Sequence, residues 1–318
     1  MKTLLVIGGT GFFGKSILDS FRRGRLDAWE VERVIAMSRN AECLRQEASE
    51  LLSPRVELIS ADIGIVDSLP DADLIIHAAA STDAAQYMTR PLEERRNIQA
   101  ATYNYCRLAP KFHAHSSILY VSSGAVYGVQ PDNLLKIPES YAFGVIEDLP
   151  ENKHAYTFAK REAERAIIDL GVRHGLSVSI ARCFAFVGLW LPRNQHFAIG
   201  NFIEDGLCGR AITVKAQHQV VRSYMHANDL AEWLLTIASD AKPDCPIYNL
   251  GSDDAISIRD LAVLVAQEFG VKTNLPMITE AIIDRYVPSI DKAKNKLGLQ
   301  LKIDLPSAIR STVNALIK

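Results

Sequence analysis

The chain has 318 residues, of which 48% are hydrophobic and 23% are charged. These are ordinary values for a globular protein, and they exclude a disordered or fibrous chain. Lys and Arg number 35, and Asp and Glu 37, which gives a formal net charge of −2 without a long block of one sign. The sequence therefore gives no support to a role in nucleic-acid or membrane-surface binding.

The cysteines are scattered along the chain, and the sequence contains no CxxC pair. This pattern excludes a disulfide scaffold and a zinc site, and it is typical of a reducing cytosol. Gly8, Gly9 and Gly11 interrupt the first apolar run, so it is too short for a signal peptide. No stretch reaches the roughly 18 apolar residues that span a bilayer. We therefore expect a soluble, cytoplasmic protein that binds no metal.

Short apolar runs alternate with longer amphipathic stretches up to Arg182. The predicted strands are Thr3–Ile7, Val34–Met37, Val56–Ser60, Leu74–His77, Ile118–Ser122 and Val178–Arg182. The predicted helices are Gly14–Arg22, Ala41–Leu52, Leu92–Arg107 and Tyr156–His174. Repeated strand–helix–strand order indicates parallel strands with crossover helices. The sequence therefore predicts an α/β fold with a doubly wound parallel sheet of the Rossmann type.

The pattern loosens after Arg182, where the predicted elements become shorter and more widely spaced. They are helices at Ala198–Leu207, Asp229–Ser239, Ile258–Phe269 and Ile290–Leu297, and strands at Ala211–Val214, Ser223–His226 and Ile247–Leu250. We expect them to form a smaller α/β region at the carboxyl edge of the sheet.

A glycine-rich turn, GGTGFFG at 8–14, directly follows the first predicted strand and opens the first predicted helix. Small residues let the backbone turn tightly and approach a pyrophosphate, and the helix then presents unpaired N–H groups to it. This context predicts a dinucleotide site. Its candidate residues are Gly8, Thr10, Gly11, Phe12, Phe13 and Gly14.

The residues after the second strand bear on the choice of dinucleotide. An acidic residue there would hold the 2′-hydroxyl of NAD, but the chain has Ser38 and Arg39. A guanidinium suits the 2′-phosphate of NADP. The alternative is an Arg39 that stacks on the adenine or is simply solvated. We expect NADP, with NAD as the second choice.

Two further strand ends complete the predicted cofactor site. Asp62 and Ile63 follow the third strand, where the carboxylate could accept a hydrogen bond from the adenine or could be a turn residue. Ala78 and Ala79 follow the fourth strand, where small side chains leave room for a ribose and a nicotinamide.

Tyr156 and Lys160 are four residues apart on one predicted helix face. An ammonium near a phenol stabilises the phenolate and can lower its pKa from about 10. Such a tyrosine exchanges a proton with a carbinol oxygen during hydride transfer. Ser123, at the end of the neighbouring strand, adds a hydroxyl donor.

These motifs, in this order, resemble those of the extended short-chain dehydrogenase/reductase family, and within it the nucleotide-sugar epimerases, dehydratases and ketoreductases. The segments concerned are GGTGFFG at 8–14, HAAA at 77–80, SSGAVYG at 122–128, YTFAK at 156–160, RSYMH at 222–226, YNLG at 248–251 and DKAKNKLG at 291–298. The resemblance implies a dinucleotide-binding domain over 1–182 with parts of 219–250. It implies a substrate region over 183–218 and 251–318, and a nucleotide-sugar substrate.

The resemblance also implies individual roles. Ser123 would hydrogen-bond the reacting sugar oxygen, Tyr156 would be the general acid/base, and Lys160 would bind the nicotinamide ribose. Further matches are Asn97 on the cofactor side of the pocket, and Arg222 and Asn201 near the substrate diphosphate. Family members are often dimers, and the helices around Tyr156 and Asn97 could form the interface.

Departures from the family pattern narrow the function. Enzymes that dehydrate hexose nucleotides at C5–C6 carry Asp-Glu after the catalytic hydroxyl residue, whereas this chain has Gly124 and Ala125. This favours a 4-ketoreductase or a 4-epimerase over a 4,6-dehydratase, and Arg39 favours the reductase. A non-sugar alcohol dehydrogenase and a non-enzymatic dinucleotide sensor are weaker alternatives.

Other polar residues are expected to have structural or solvated roles only. We expect Glu162 and Glu164 on the solvated face of their helix, and His113 and His115 in an exposed loop.

Overall fold

The computed structural model describes residues 1–80, 89–193 and 195–317. Within these ranges the strands are β1 (Lys2–Ile7), β2 (Val31–Ser38), β3 (Val56–Ser60), β4 (Leu74–His77), β5 (Ser117–Ser123), β6 (Ser177–Cys183), β7 (Phe186–Val187), β8 (Ile212–Thr213), β9 (Gln219–Arg222), β10 (Met225–His226), β11 (Ile247–Leu250), β12 (Ile256–Ser257), β13 (Thr273–Asn274) and β14 (Ile283–Tyr286). The main sheet has seven strands in the order β3-β2-β1-β4-β5-β6-β11. All its neighbouring pairs are parallel. Because the chain winds outward in both directions from β1, the sheet is doubly wound.

Helices cover both faces of this sheet. The α-helices are α1 (Phe12–Arg22), α2 (Leu44–Glu47), α3 (Pro91–Phe112), α4 (Glu151–His174), α5 (Ala198–Leu207), α6 (Ala227–Ser239), α7 (Ile258–Phe269), α8 (Asp291–Leu297) and α9 (Leu305–Ile317). One face packs on α1 and α6 through a core that includes Ile17 and Trp233. The other packs on α3 and α4 through residues such as Ile98 and Ala159. The predicted Rossmann-type α/β fold is confirmed.

One predicted helix is wrong. Ala41–Leu52 forms a single turn of α-helix with a short 3-10 turn on each side, because the backbone of Ala48 leaves the helical region at φ −158° and ψ 50°. The apolar spacing that suggested a helix is nevertheless genuine, since Ala41, Leu44 and Leu51 are all buried. The spacing marks contact with the core rather than a continuous helix.

Much of the chain after β6 forms smaller units outside the main sheet, whereas β11 is a strand of that sheet and α6 covers one of its faces. Three short sheets pair β7 with β10, β8 with β13, and β9 with β12 and β14. α5, α7 and α9 enclose a separate apolar core that includes Ile199, Leu261 and Ile309. The sequence patterns did not predict α9 or β14. Within the three described ranges, no helix is both long enough and apolar enough to cross a membrane.

Candidate active site

The glycine-rich turn lies at the carboxyl end of β1, between β2 and β4. The N–H groups of Gly8 and Gly9 donate to the Met37 carbonyl at 2.8 and 3.1 Å. Gly8 has φ +93°, and a Cβ on it would lie 2.7 Å from the Ala78 carbonyl oxygen. Only glycine fits this position, because a side chain would be strained and would also strike the neighbouring backbone.

The turn ends where α1 begins. Gly11 caps the helix with no side-chain hydrogen bond, and the first turn of α1 carries no acidic residue. A helix N-terminus of this kind offers backbone N–H groups to an anion. Phe12 and Phe13 pack edge-to-face with each other, and both lie against Phe186. The turn therefore fits a pyrophosphate, and the aromatic packing supports the start of α1.

The end of β2 presents the two residues predicted to choose the dinucleotide. The Ser38 hydroxyl is buried and has no hydrogen-bond partner within the described chain. Arg39 is exposed. Its guanidinium makes no ion pair with any described residue. These polar groups remain available to the adenosine end of a dinucleotide, so the site fits NAD or NADP.

The other two strand ends differ in what they present. Asp62 accepts a hydrogen bond from the Gly64 N–H at 2.8 Å, which makes it a turn residue through one oxygen. The Ile63 side chain is buried in the core between the sheet and α3. Ala78 and Ala79 are half-buried beside the glycine-rich turn.

The predicted catalytic residues meet at the carboxyl end of β5. The Ser123 hydroxyl ends that strand and accepts a hydrogen bond from the Ala125 N–H at 3.2 Å. The phenol of Tyr156 on α4 lies close enough to this hydroxyl for Ser123 to act on its pKa. α4 begins at Glu151, so Tyr156 and Lys160 lie in its second and third turns rather than at its start.

The Lys160 ammonium is held by two hydrogen bonds near Ser123 and Tyr156. It donates to the Val121 carbonyl at 2.9 Å and to the Tyr120 hydroxyl at 3.2 Å. It lies 6.0 Å from the ring centroid of Tyr156. The lysine is buried, with 3% of its surface exposed.

Burial determines how both groups titrate. It raises the pKa of the Tyr156 phenol to about 12, although the nearby Ser123 hydroxyl acts in the opposite direction. It lowers the pKa of the Lys160 ammonium to about 8. That Lys160 brings the pKa of Tyr156 towards neutrality stays a prediction, and desolvation acts against it. Near neutral pH, Tyr156 is a phenol that can donate a proton.

Tyr286, which the sequence patterns did not single out, also lies in this site. Its hydroxyl is 3.5 Å from the Ser123 hydroxyl and donates to the Cys183 carbonyl at 3.3 Å. Its ring lies against that of Phe184, with centroids 4.5 Å apart. A Cβ on Gly124 would be 2.7 Å from both Phe184 and the Tyr286 hydroxyl. These two aromatic residues therefore leave no room for a side chain at position 124.

Residues 4–251 match the NAD dependent epimerase/dehydratase family. The chain belongs to this family. It is 27% identical over 310 residues to UDP-glucuronic acid decarboxylase 3 of Arabidopsis thaliana. The alignment covers 95% of this chain and 85% of that protein.

Two solved structures have the same fold. The UDP-glucose 4-epimerase of Thermotoga maritima, solved with UDP-glucose, superposes with a TM-score of 0.81 at 20% identity and covers 99% of this chain and 98% of that one. The dTDP-glucose 4,6-dehydratase of Streptomyces venezuelae, solved with NAD, gives a TM-score of 0.78 at 20% identity, over 98% of this chain and 96% of that one. The protein is thus a member of an NAD-dependent family whose relatives include nucleotide-sugar epimerases, decarboxylases and dehydratases.

Three residues matched to the family on sequence have other contacts in this structure. Asn97 is exposed on α3. The two guanidinium NH₂ groups of Arg222 donate to the Asp284 carboxylate and carbonyl, both at 2.7 Å. The Asn201 amide donates to the Gln195 carbonyl at 2.6 Å, while its own oxygen is buried without a partner in the described ranges.

The expectation that Glu162 and Glu164 lie on the solvated face of their helix is wrong. Glu164 is 2% exposed and pairs with Arg182, which is 5% exposed. Nε and one NH₂ of Arg182 donate to its two carboxylate oxygens at 3.0 and 2.8 Å, and Ser122 donates at 2.6 Å. Glu162 receives a hydrogen bond from Gln99 on α3 at 2.6 Å. Both glutamates therefore hold α4 against its neighbours.

The expectation that His113 and His115 lie in an exposed loop is wrong for His113. His113 is fully buried, and its Nδ1 lies 3.2 Å from the Tyr105 hydroxyl. His115 is exposed, as expected.

Proposed function

We propose that the protein reduces a 4-keto-(6-deoxy)hexose nucleotide with NADPH, using Ser123, Tyr156 and Lys160. The observation that carries this proposal is the phenol of Tyr156 beside the Ser123 hydroxyl. Gly124 and Ala125, which follow Ser123, have no side chain that could move a second proton. Such a site can complete a hydride transfer at a carbonyl. Positions 124 and 125 supply no group for further acid–base chemistry on the sugar.

The residues divide the reaction between them. A nicotinamide bound at this site would supply the hydride to the carbonyl carbon. Ser123 and Tyr156 hydrogen-bond the carbonyl oxygen, and the phenol of Tyr156 gives its proton to that oxygen as negative charge develops. The buried Lys160 ammonium stabilises the phenolate that remains.

The crowding at position 124 argues against a 4,6-dehydratase. That reaction needs one acid and one base to remove water across C5 and C6. A carboxylate side chain does not fit at position 124, because Phe184 and Tyr286 occupy the space. At position 125, the alanine has no titratable group. This contact supports the expectation from sequence that the chain is not a dehydratase.

Arg39 supports NADPH as the coenzyme. Replacing it with Ala should weaken NADPH binding about 10-fold or more, because a charge-assisted hydrogen bond to the 2′-phosphate is lost. NADH binding should not change. Arg33→Ala is the matched control, since Arg33 is an exposed arginine on β2, the strand that Arg39 follows, and it pairs with Glu57. Equal loss of NADPH and NADH affinity in Arg39→Ala would remove this support.

A redox-neutral 4-epimerase is the second candidate. Gly124 and Ala125 also suit this reaction, because neither has a side chain that transfers a proton. In it, hydride leaves C4 and returns to the other face of that carbon. Decarboxylation, the reaction named for the Arabidopsis relative, is a third outcome to be tested.

The test is a substrate panel with the purified protein. UDP- and dTDP-4-keto-6-deoxyglucose with NADPH, UDP-galactose without added coenzyme, and UDP-glucuronate are each incubated and followed by chromatography. The proposal predicts NADPH-dependent loss of the 4-keto sugars and no loss with Tyr156→Phe. Turnover of UDP-galactose or release of CO₂ from UDP-glucuronate would instead support the epimerase or the decarboxylase.

We also propose where the substrate binds and how the chain assembles. Residues 183–218 and 251–318 would form the substrate region, and Arg222 would exchange Asp284 for the nucleotide diphosphate. Tyr103 on α3 and Val172 on α4 are 49% and 67% exposed, which suits a homodimer through these helices. Light scattering should give a dimer mass that falls to the monomer in Tyr103→Asp or Val172→Asp; a monomeric parent protein would contradict this.

A further inference from the structure

Tyr120 lies in β5, beneath the lysine of the active site. It is 1% exposed, and its hydroxyl accepts a hydrogen bond from the Lys160 ammonium at 3.2 Å. The ammonium also sits over its ring, 4.8 Å from the centroid. The contact is therefore both a hydrogen bond and a cation–π interaction, in a place that water does not reach.

The contact restricts where the lysine can point. An ammonium has three N–H donors and no acceptor. Tyr120 and the Val121 carbonyl take two of them. One donor remains for another partner, and the Tyr156 ring centroid lies 6.0 Å from the ammonium.

The contact also favours the charged lysine. A hydrogen-bond acceptor at a buried ammonium stabilises its protonated form, and desolvation opposes it. The titratable groups that face Lys160 are His77 from β4, Tyr120 from β5, Cys183 from β6, and Tyr156 and Glu164 from its own helix. Of these, Tyr120 is the one whose hydroxyl bonds the ammonium directly.

We propose that Tyr120 is a positioning residue, whose buried hydroxyl directs the Lys160 ammonium towards Tyr156 and keeps it protonated at neutral pH. The role in catalysis rests on the proposed function. The contact itself does not, so it can be tested without a known substrate.

The test is the titration of Lys160 in the full chain, observed by NMR of ¹⁵Nζ-labelled lysine and assigned with Lys160→Met. We expect the midpoint of Tyr120→Phe to lie about one pH unit below that of the parent protein. Tyr105→Phe is the matched control: it removes a buried tyrosine hydroxyl from the same core, but that hydroxyl bonds His113 rather than Lys160. An unchanged midpoint in Tyr120→Phe would overturn the proposal.

A stability cycle covers the case in which Tyr120→Phe folds poorly. Tyr120→Phe should lower the melting temperature of the parent protein. It should lower that of the Lys160→Met protein much less, because that protein has no ammonium to lose its hydroxyl partner. Equal losses in both backgrounds would show that Tyr120 acts through packing alone and would overturn the proposal. Once a substrate is known, the alkaline limb of kcat should shift to lower pH in Tyr120→Phe, because Lys160 then loses its proton earlier. An unshifted limb would contradict the catalytic part only.

Discussion

Glu164→Ala should destabilise the protein more than most single substitutions. The variant removes the carboxylate that accepts two charge-assisted hydrogen bonds from Arg182 at 2.8 and 3.0 Å. The guanidinium would stay buried, with the Glu139 carbonyl at 3.4 Å as a weak remaining acceptor. Breaking a buried ion pair by removing one partner costs about 3–5 kcal/mol, because the other charge is left uncompensated. We expect a loss of that size in the free energy of unfolding.

Urea denaturation followed by circular dichroism measures this loss. The control is Asp169→Ala on the same helix, which breaks the exposed pair between Asp169 and Arg173 and should cost less than about 0.5 kcal/mol. The double variant Glu164→Leu/Arg182→Met should recover most of the loss, because it leaves no buried charge. A cost below about 1 kcal/mol for Glu164→Ala would refute the assignment of a desolvated ion pair.

Two further substitutions test the site. Tyr156→Phe should lower kcat about 10²- to 10⁴-fold while the protein folds and binds dinucleotide normally, because only the proton donor is lost; a rate within 10-fold of the parent would show that another group supplies the proton. Gly124→Ala should cost about 1–3 kcal/mol in unfolding experiments, because its methyl group overlaps Phe184 and Tyr286. Gly11→Ala, where the new methyl would be 3.5 Å from its nearest neighbour, should cost only the small loss expected for alanine at a helix N-cap, below about 1 kcal/mol. Equal stability losses in the two variants would contradict the crowding at position 124.

The parts of the site that the sequence predicted are those with local patterns. The glycine-rich turn sits between a strand and a helix, and Tyr156 and Lys160 share a helix face, so neither needs knowledge of distant contacts. Asp62 shows the limit of this reasoning, because the sequence allowed both an adenine contact and a turn, and one of its oxygens serves the turn.

The parts that the sequence did not predict depend on long-range contacts. Tyr286 lies on β14 and contacts Ser123 from there. This strand is short and half-buried throughout, so its sequence shows no clear alternation of apolar and polar residues. Glu164 did carry a signal, because it follows Tyr156 and Lys160 at helical spacing and so shares their inward face. Charge alone suggested a solvated residue, but the buried partner Arg182 lies on β6.

The most direct test of the proposed reaction uses NADPH deuterated at the transferred C4 position of its nicotinamide, with a nucleotide-linked 4-keto-6-deoxy sugar as substrate. The proposal predicts one equivalent of NADP formed and deuterium at C4 of the product sugar, as seen by mass spectrometry and NMR. A protein that retains NAD through purification, interconverts 4-hydroxy sugars and consumes no NADPH would contradict the proposal and make the 4-epimerase the better account.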